Sequence, residues 1–282
     1  MKFIVVSSSA KIAKNGRPFV SANVINEKRE VLSITIWGVS SPLARKEVFQ
    51  GPIKEKDGFL SVSFVELVAY KDQEFIDSVK DMLPKEDIVT ESQWNSLIEQ
   101  SMAFCVKDWA YKINPVLKKL YGLYSKHTAA KVNHHAFEGG LLTHTYQVVN
   151  YLNAIYPLVN FPVQYDCALV GACFHDFGKV REYSGDNFDY TEDMFLLGHP
   201  FMGAEAVAKI MRKEEIPSED IERVQHVILS HHGKLEYGSP VVPCTGEAFL
   251  VSHCDSLSGT GQTFADTPNM TKSFVLGTNV IK

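Results

Sequence analysis

The chain has 282 residues, of which 45% are hydrophobic and 22% are charged, which is typical of a globular protein with a sizeable core. Its five cysteines form no Cys-x-x-Cys pair, so we expect reduced thiols rather than a disulfide framework. The net charge of −5 is uneven, because residues 1–70 carry ten Lys/Arg against six Asp/Glu. This local excess favours a polyanionic partner, although ordinary scatter of surface charge explains it equally well.

Membrane and secretory segments are not expected. No apolar stretch approaches the roughly 18–20 residues that a membrane span requires. The apolar run near the start, 3–6, is too short for a signal peptide, and three serines end it. The sequence therefore predicts a cytoplasmic protein with no membrane partner.

Residues 1–72 read as short strands separated by turns. We expect five strands, at 3–6, 19–25, 31–37, 48–53 and 59–68. Five short strands in about 70 residues fit a small closed β-barrel, for which the OB-fold is the obvious candidate. Such barrels bind single-stranded nucleic acid by stacking bases on aromatic rings beside basic groups. The candidate contacts are Lys11, Lys14, Arg17, Phe19 and Trp37. The alternative is that the two aromatic residues belong to the core.

A charged stretch at 73–90, with a short helix near 74–83, is the predicted linker. An all-α domain is expected at 91–262, followed by a tail at 263–282. Thr90 can cap a first helix whose apolar face carries Trp94 and Leu97. A second helix, near 106–121, is predicted to kink or break before Pro115.

Several later helices carry histidine or aspartate on an apolar stripe or at its end. His144 lies on the apolar face of a helix opened by Gly139 and Gly140. The pattern recurs in four further segments, with His175-Asp176, His199, His231-His232 and Asp255. A lone core histidine is more often a hydrogen-bonded residue than a ligand, but five such coincidences favour a metal site. Imidazoles and carboxylates without thiolates suit Mn²⁺, Fe²⁺, Mg²⁺, Ni²⁺ or Zn²⁺. Asp176 could bridge two ions about 3.5–4 Å apart, as in two-metal phosphoester hydrolysis.

These residues carry a resemblance to a known family. The order His144, His175-Asp176, Asp255 resembles the H…HD…D signature of HD-domain metal-dependent phosphohydrolases. The segments Asn133–Thr145 and Ile228–Pro240 are similar to those of YhaM-type 3′→5′ exoribonucleases, which carry an OB-fold before the HD domain. The resemblance implies one metal held by His144, His175, Asp176 and Asp255. It implies a second held by Asp176, His199 and one or both of His231 and His232.

The resemblance also implies catalytic roles for Asp176 and for Lys179, which would meet the scissile phosphate. Spacing leaves the roles of His134, His135 and Glu138 open. The expected function is a metal-dependent 3′→5′ exonuclease that acts on single-stranded RNA or DNA, with RNA favoured, and releases nucleoside monophosphates. The resemblance also suggests a homo-oligomer. The alternatives are a small-nucleotide phosphohydrolase or cyclic-nucleotide phosphodiesterase with the same ligands, and a non-catalytic protein that binds single strands.

Overall fold

The structure is a computed structural model that describes residues 1–41, 43, 46–82, 88–130, 135–184, 189–266, 271–272 and 278–281. The chain divides into two compact units, Met1–Glu86 and Asp87–Lys282. The first is built on a mixed β-sheet and the second is helical, which confirms the predicted order of an N-terminal β-domain and an all-α domain.

The first unit contains a seven-stranded sheet. Its strands are β1 (Lys2–Ile12), β2 (Pro18–Asn26), β3 (Val31–Trp37), β4 (Val48–Gln50), β5 (Lys54–Lys56), β6 (Phe59–Ser63) and β7 (Val68–Tyr70). Their order across the sheet is β5-β6-β3-β2-β1-β4-β7. All the recorded pairs are antiparallel except β3 with β6, which run parallel. The sheet is mixed, and its assignment as an OB-fold barrel stays a prediction.

The strands differ from the prediction at their ends. The first runs on to Ile12 because Ser8–Ile12 pair with β2 beyond an irregularity in the register between Val5 and Ser7. The predicted strand at 48–53 ends early, at Gly51-Pro52, since proline has no N–H to donate to a ladder. The predicted strand at 59–68 is interrupted by a 3₁₀ turn, Phe64–Glu66, where Glu66 accepts from the N–H of Ser63.

The first part of the predicted linker at 73–90 packs on the sheet. Helix α1 (Gln73–Ser78) is capped by Asp72, whose side chain accepts from the N–H of Phe75. Phe75 and Val79 are buried in one cluster with Ile4 and neighbouring strand residues. Residues 73–79 are therefore part of the first unit rather than a connecting segment.

The second unit is a helical assembly around one large apolar core. Its helices are α2 (Glu91–Met102), α3 (Asp108–Tyr124), α4 (Gly140–Ile155), α5 (Tyr165–Phe174), α6 (Lys179–Glu182), α7 (Glu192–Leu196), α8 (His199–Lys213), α9 (Ser218–Ser230) and α10 (Gly246–Asp266). Two short hairpins accompany them, β8 (Tyr183–Ser184) with β9 (Asp189–Tyr190) and β10 (Thr271–Lys272) with β11 (Asn279–Val280). Along the part of the chain that the structure describes, no helix has both the length and the apolar character to cross a membrane.

Two helix predictions are corrected by the structure. Thr90 does cap α2, in a capping box with Gln93. However, α3 continues through Pro115 without a break, because Pro115 and Tyr111, four residues earlier, are both exposed and solvent can meet the carbonyl that loses its partner. The predicted tail boundary at 262/263 lies inside α10, which runs to Asp266.

Candidate metal centre

Five segments of the second unit bring together the seven predicted metal ligands. They come from α4, from the turns that follow α5 and α9, from the first residue of α8 and from α10: His144, His175, Asp176, His199, His231, His232 and Asp255. Each of these helices packs by an apolar face into the core, and the polar residue stands on or beside that face. Two adjoining clusters of ligand atoms result.

The first cluster contains His144, His175, Asp176 and Asp255. The Nε2 atom of His144 lies 3.0 Å from Nε2 of His175 and 2.9 Å from Oδ1 of Asp255. The Nε2 atom of His175 lies 3.4 Å from Oδ2 of Asp176. Ligands bound about 2.1 Å from a common ion lie roughly 3.0–3.4 Å from one another. These separations therefore match a single coordination shell.

The second cluster contains His199, His231 and His232. The Nε2 atoms of His199 and His232 are 3.2 Å apart, and the rings of His231 and His232 lie 4.1 Å apart between centroids. Each of the three offers a ring nitrogen within 4.8 Å of the others. This cluster is rich in imidazole, whereas the first is half carboxylate.

The carboxylate of Asp176 faces both clusters with different oxygens. Its Oδ2 lies 3.5 Å from Nε2 of His144 and 3.4 Å from Nε2 of His175. Its Oδ1 lies 3.5 Å from Nε2 of His199 and 3.6 Å from Nε2 of His231. The side chain is 2% exposed, so water does not solvate the charge from outside. One carboxylate thus stands between two sets of imidazoles.

Main-chain carbonyls fix the tautomers of two of the histidines. The Nδ1–H of His175 donates to the carbonyl of Ala172 at 2.7 Å, and that of His231 donates to the carbonyl of Ile228 at 2.6 Å. An imidazole that donates from Nδ1 presents a lone pair at Nε2 when it is neutral. Both Nε2 atoms face the clusters, where they can act as ligands.

Side chains fix the tautomers of two more histidines. The hydroxyl of Ser258 donates to Gln147 at 2.7 Å and accepts from Nδ1–H of His144 at 2.9 Å. The Nδ1–H of His199 donates to the carboxylate of Glu182 at 2.6 Å. Metal-binding histidines characteristically donate their other ring N–H to a carboxylate, a carbonyl or a similar acceptor. The four histidines meet this requirement.

The carboxylates are held in the ionised form that binds metals. Burial raises the pKa of Asp176, but Lys179 and His175 outweigh it and hold that pKa well below the usual range. Burial acts in the same direction on Asp255, and the neighbouring His144 outweighs it, so the pKa of Asp255 is also lowered. Both groups keep a negative charge at neutral pH.

Most of the imidazoles are held neutral. Burial lowers the pKa of His144 and His199, and it lowers the pKa of His232 to about 3. For His175, burial lowers the pKa but the carboxylate of Asp176 more than compensates, so its pKa is raised. Neutral imidazole is the form that coordinates a cation.

The convergence of lone pairs gives a physical test of whether a cation fits. His144 and His175 direct Nε2 atoms at each other at 3.0 Å, and Nδ1 of each is already a donor. Two facing lone pairs repel unless a proton or a cation lies between them. In addition, Oδ1 of Asp176 and Nε2 of His231 are buried and have no hydrogen-bond partner among the residues that the structure describes. Orphaned buried acceptors of this kind are costly, and a divalent cation would satisfy them.

Comparison with known families agrees with this reading. Residues 141–260 match the family model of the HD domain. All seven ligands fall within the matched range. The match supports a metal-dependent phosphohydrolase of the HD superfamily, and the clusters could hold divalent ions. No solved structure matches the chain.

Within the range that matches the HD domain, a lysine lies beside the carboxylate of Asp176. Nζ of Lys179 lies 2.8 Å from Oδ2 of Asp176, and its side chain is 12% exposed. Burial lowers the pKa of Lys179, but the charge of Asp176 outweighs it and the net shift is upward. A cationic amine is therefore held at the centre.

The three residues whose roles the spacing leaves open have different surroundings. His134 lies outside the described residues. His135 is buried with a positive φ of 57°, and its ring centroid lies 5.3 Å from that of His144. Glu138 is exposed. The carbonyl of His135 lies where a side chain on Gly140 would stand, at 1.9 Å from its Cβ, so only glycine fits there.

In the first unit, three of the five predicted nucleic-acid contacts lie in one row of the sheet. Lys11 pairs with Phe19 across β1 and β2, and Phe19 pairs with Trp37 across β2 and β3. The two rings are 5.0 Å apart and half-buried, and Arg17 lies 5.9 Å from the ring of Trp37. Lys14 is exposed in the turn between β1 and β2. The row combines aromatic faces with exposed positive charge.

Three residues of the HD domain were not among the predicted site residues. They are Ser258, which binds His144, Gln147, which binds Ser258, and Glu182, which binds His199. Gln147 lies three residues after His144, and Ser258 lies three residues after Asp255. That spacing on a helix puts each on the same face as a ligand, and it could have identified them.

Proposed function

We propose that the protein is a metal-dependent phosphodiesterase that removes nucleoside monophosphates from the 3′ end of single-stranded RNA. The observation that carries the proposal is the carboxylate of Asp176, whose two oxygens face two separate sets of imidazoles. The proposed cofactor is a pair of divalent ions, Mn²⁺ foremost, one in each cluster. The HD-domain match supports the reaction class, and the resemblance to YhaM-type enzymes supports the direction of cleavage.

The proposed metal ligands and Lys179 have different roles in the reaction. Bound divalent ions would lower the pKa of a coordinated water and neutralise charge on the phosphate. Four of the imidazoles present their Nε2 atoms in fixed orientations, since the Nδ1 atoms of His144, His175, His199 and His231 are hydrogen-bonded. Lys179 supplies a positive charge beside Asp176, where it can meet a nonbridging phosphate oxygen and stabilise negative charge that develops there.

A polymeric substrate accounts for the first unit. The row of Lys11, Phe19 and Trp37 offers faces on which bases can stack, flanked by exposed basic side chains. Stacking of this type is worth about 1–3 kcal/mol per base and tolerates any sequence. A phosphohydrolase for small nucleotides gains nothing from such a surface.

The decisive experiment follows single-stranded RNA labelled at its 5′ end, in Mn²⁺ and in chelator. We expect progressively shorter labelled products and released nucleoside 5′-monophosphates with Mn²⁺, and none with chelator. Circular RNA of the same sequence should survive, and matched DNA should be degraded more slowly. The Asp176→Asn variant should lose at least 10³-fold in rate, because it weakens both clusters.

A second variant tests whether the substrate is a polymer. Trp37→Ala should raise KM for long RNA while leaving hydrolysis of a short model phosphodiester unchanged. Cleavage of circular RNA would contradict an exonuclease. Hydrolysis confined to free nucleotides or cyclic nucleotides would replace the proposal with the small-nucleotide alternative, and metal binding without any turnover would leave a binding protein.

A further inference from the structure

A buried carboxylate outside the ligand set contacts the second cluster. Glu182 is 4% exposed and lies at the end of α6. Its Oε2 accepts from Nδ1–H of His199 at 2.6 Å. Its main chain is also held, because its carbonyl accepts from the N–H of Thr191 at 3.0 Å. Burying a carboxylate is costly unless charge or hydrogen bonds compensate it, and for Glu182 the ring N–H of His199 is such a partner.

The segment that carries Glu182 also holds the main chain of His199. A Cβ atom on Gly178 would lie 2.1 Å from the carbonyl oxygen of His199, so the two backbones touch with no room for a side chain. Gly178 therefore contacts the backbone of His199, and Glu182 binds its ring. Lys179, on the same turn as Glu182, contacts Asp176. The four-residue helix α6 thus connects the bridging carboxylate with the second cluster.

His199 is less enclosed than three of the other histidines of the centre. It is the first residue of α8 and follows Gly198, whose φ is +72°. Its side chain is 13% exposed, whereas those of His144, His175 and His231 are at most 2% exposed. An imidazole ring at a helix start that is not fully enclosed can rotate or change tautomer. The hydrogen bond to Glu182 fixes the proton on Nδ1 and directs Nε2 at the second cluster.

We infer that Glu182 is a positioning residue that gives the second metal site its affinity through His199, without touching the cation. This inference rests on the two-ion centre of the proposed function. It predicts that Glu182 affects metal occupancy of the second site and not that of the first. Loss of a carboxylate behind a metal-binding histidine commonly weakens metal affinity by about 10–100-fold.

The experiment measures metal binding to the full-length chain without RNA. Chelator-treated protein is titrated with Mn²⁺ by calorimetry, and bound metal is counted by elemental analysis. For the unaltered protein we expect two equivalents. For Glu182→Ala the affinity of one equivalent should fall about 10–100-fold, while the other keeps its affinity. Glu182→Gln should lie between, because its amide oxygen still accepts from Nδ1–H but carries no charge.

A matched control is Glu205→Gln, which removes an exposed carboxylate of α8 that pairs with Lys209. This variant should bind two equivalents with unchanged affinity. An equal loss at both sites, unchanged binding in Glu182→Ala, or a single equivalent in the unaltered protein would overturn the inference. If Glu182→Ala fails to fold, Glu182→Gln, which keeps the shape of the side chain, decides the matter. Two-equivalent binding without RNA cleavage would sustain the inference and contradict the proposed nuclease activity.

Discussion

At the residue scale, the ion pair of Lys179 with Asp176 has a direct chemical meaning. The amine contacts Oδ2, which is the oxygen that also faces His144 and His175. A cation held by the first cluster would therefore share this oxygen with the amine of Lys179. In that state the amine would be available to contact the phosphate.

We expect Lys179→Gln to separate catalysis from metal binding. The variant removes a positive charge but no ligand, so it should still bind two equivalents of Mn²⁺. Its kcat on single-stranded RNA should fall about 10²–10³-fold, the usual cost of losing one group that stabilises developing charge. Steady-state kinetics and elemental analysis of the same preparation check both statements. Unchanged kcat, or loss of metal in parallel with activity, would contradict the role given to Lys179.

That the seven predicted ligands come together could be predicted from the sequence, because each places an imidazole or a carboxylate on an apolar stripe or at its end. Of the residues behind them, Gln147 and Ser258 have a helical spacing that could have identified them, whereas Glu182 does not. Glu182 lies on a four-residue helix that has no periodicity to place it. Its partner His199 is 17 residues away, and only the close approach at Gly178 brings the two together.

At the scale of elements, the spacing between α5 and α9 is set by a glycine. A Cβ atom on Gly171 would lie 2.4 Å from Cγ1 of Val227, so the two helices pack with no allowance for another methyl group. α5 leads into His175 and Asp176, and α9 leads into His231 and His232. This contact therefore sets how far apart the ligands of these two turns lie.

We expect Gly171→Ala to destabilise the protein by about 1–3 kcal/mol, the usual cost of overpacking a core. Val227→Ala alone should also destabilise, because it leaves a cavity. The double variant should be more stable than the sum of the two losses, since the smaller side chain makes room for the new methyl group. Denaturant unfolding of all four proteins gives the coupling, and strictly additive losses would count against this packing.

Elements were predictable where local chemistry and the apolar pattern agree. The cap at Thr90 and the alternation in β3 are examples. The errors arise where the three-dimensional surroundings, a paired strand or solvent, decide the outcome. β1 continues through its serines because β2 offers hydrogen bonds along the whole length, and α3 tolerates Pro115 because that side of the helix meets solvent.

At the scale of the whole molecule, each unit has its own buried cluster of apolar residues, and the predicted ligands all belong to the second unit. Ligands that bind only the folded state stabilise it by mass action. The buried acceptors of the candidate metal centre that lack hydrogen-bond partners among the described residues carry a cost that bound ions would remove. The second unit should therefore depend on metal for part of its stability.

We expect Mn²⁺ to raise the free energy of unfolding of the second unit by about 2.7 kcal/mol per site at 100 times Kd, and chelator to abolish the increase. Differential scanning calorimetry with and without Mn²⁺ measures it. The first unit serves as an internal reference, because it carries none of the predicted ligands. Asp176→Asn should show little increase, and an equal response of both transitions to Mn²⁺ would argue against specific binding.

The carboxylate of Asp176 has a consequence for how the division of labour between two cations can be studied. Because its two oxygens face different imidazoles, replacing Asp176 would disturb both halves of the proposed centre at once, and the separate roles of two bound cations could not then be told apart. Asp255 and His232 each belong to one half only. Those two positions, changed one at a time, are where the separate duties of the ions can be distinguished.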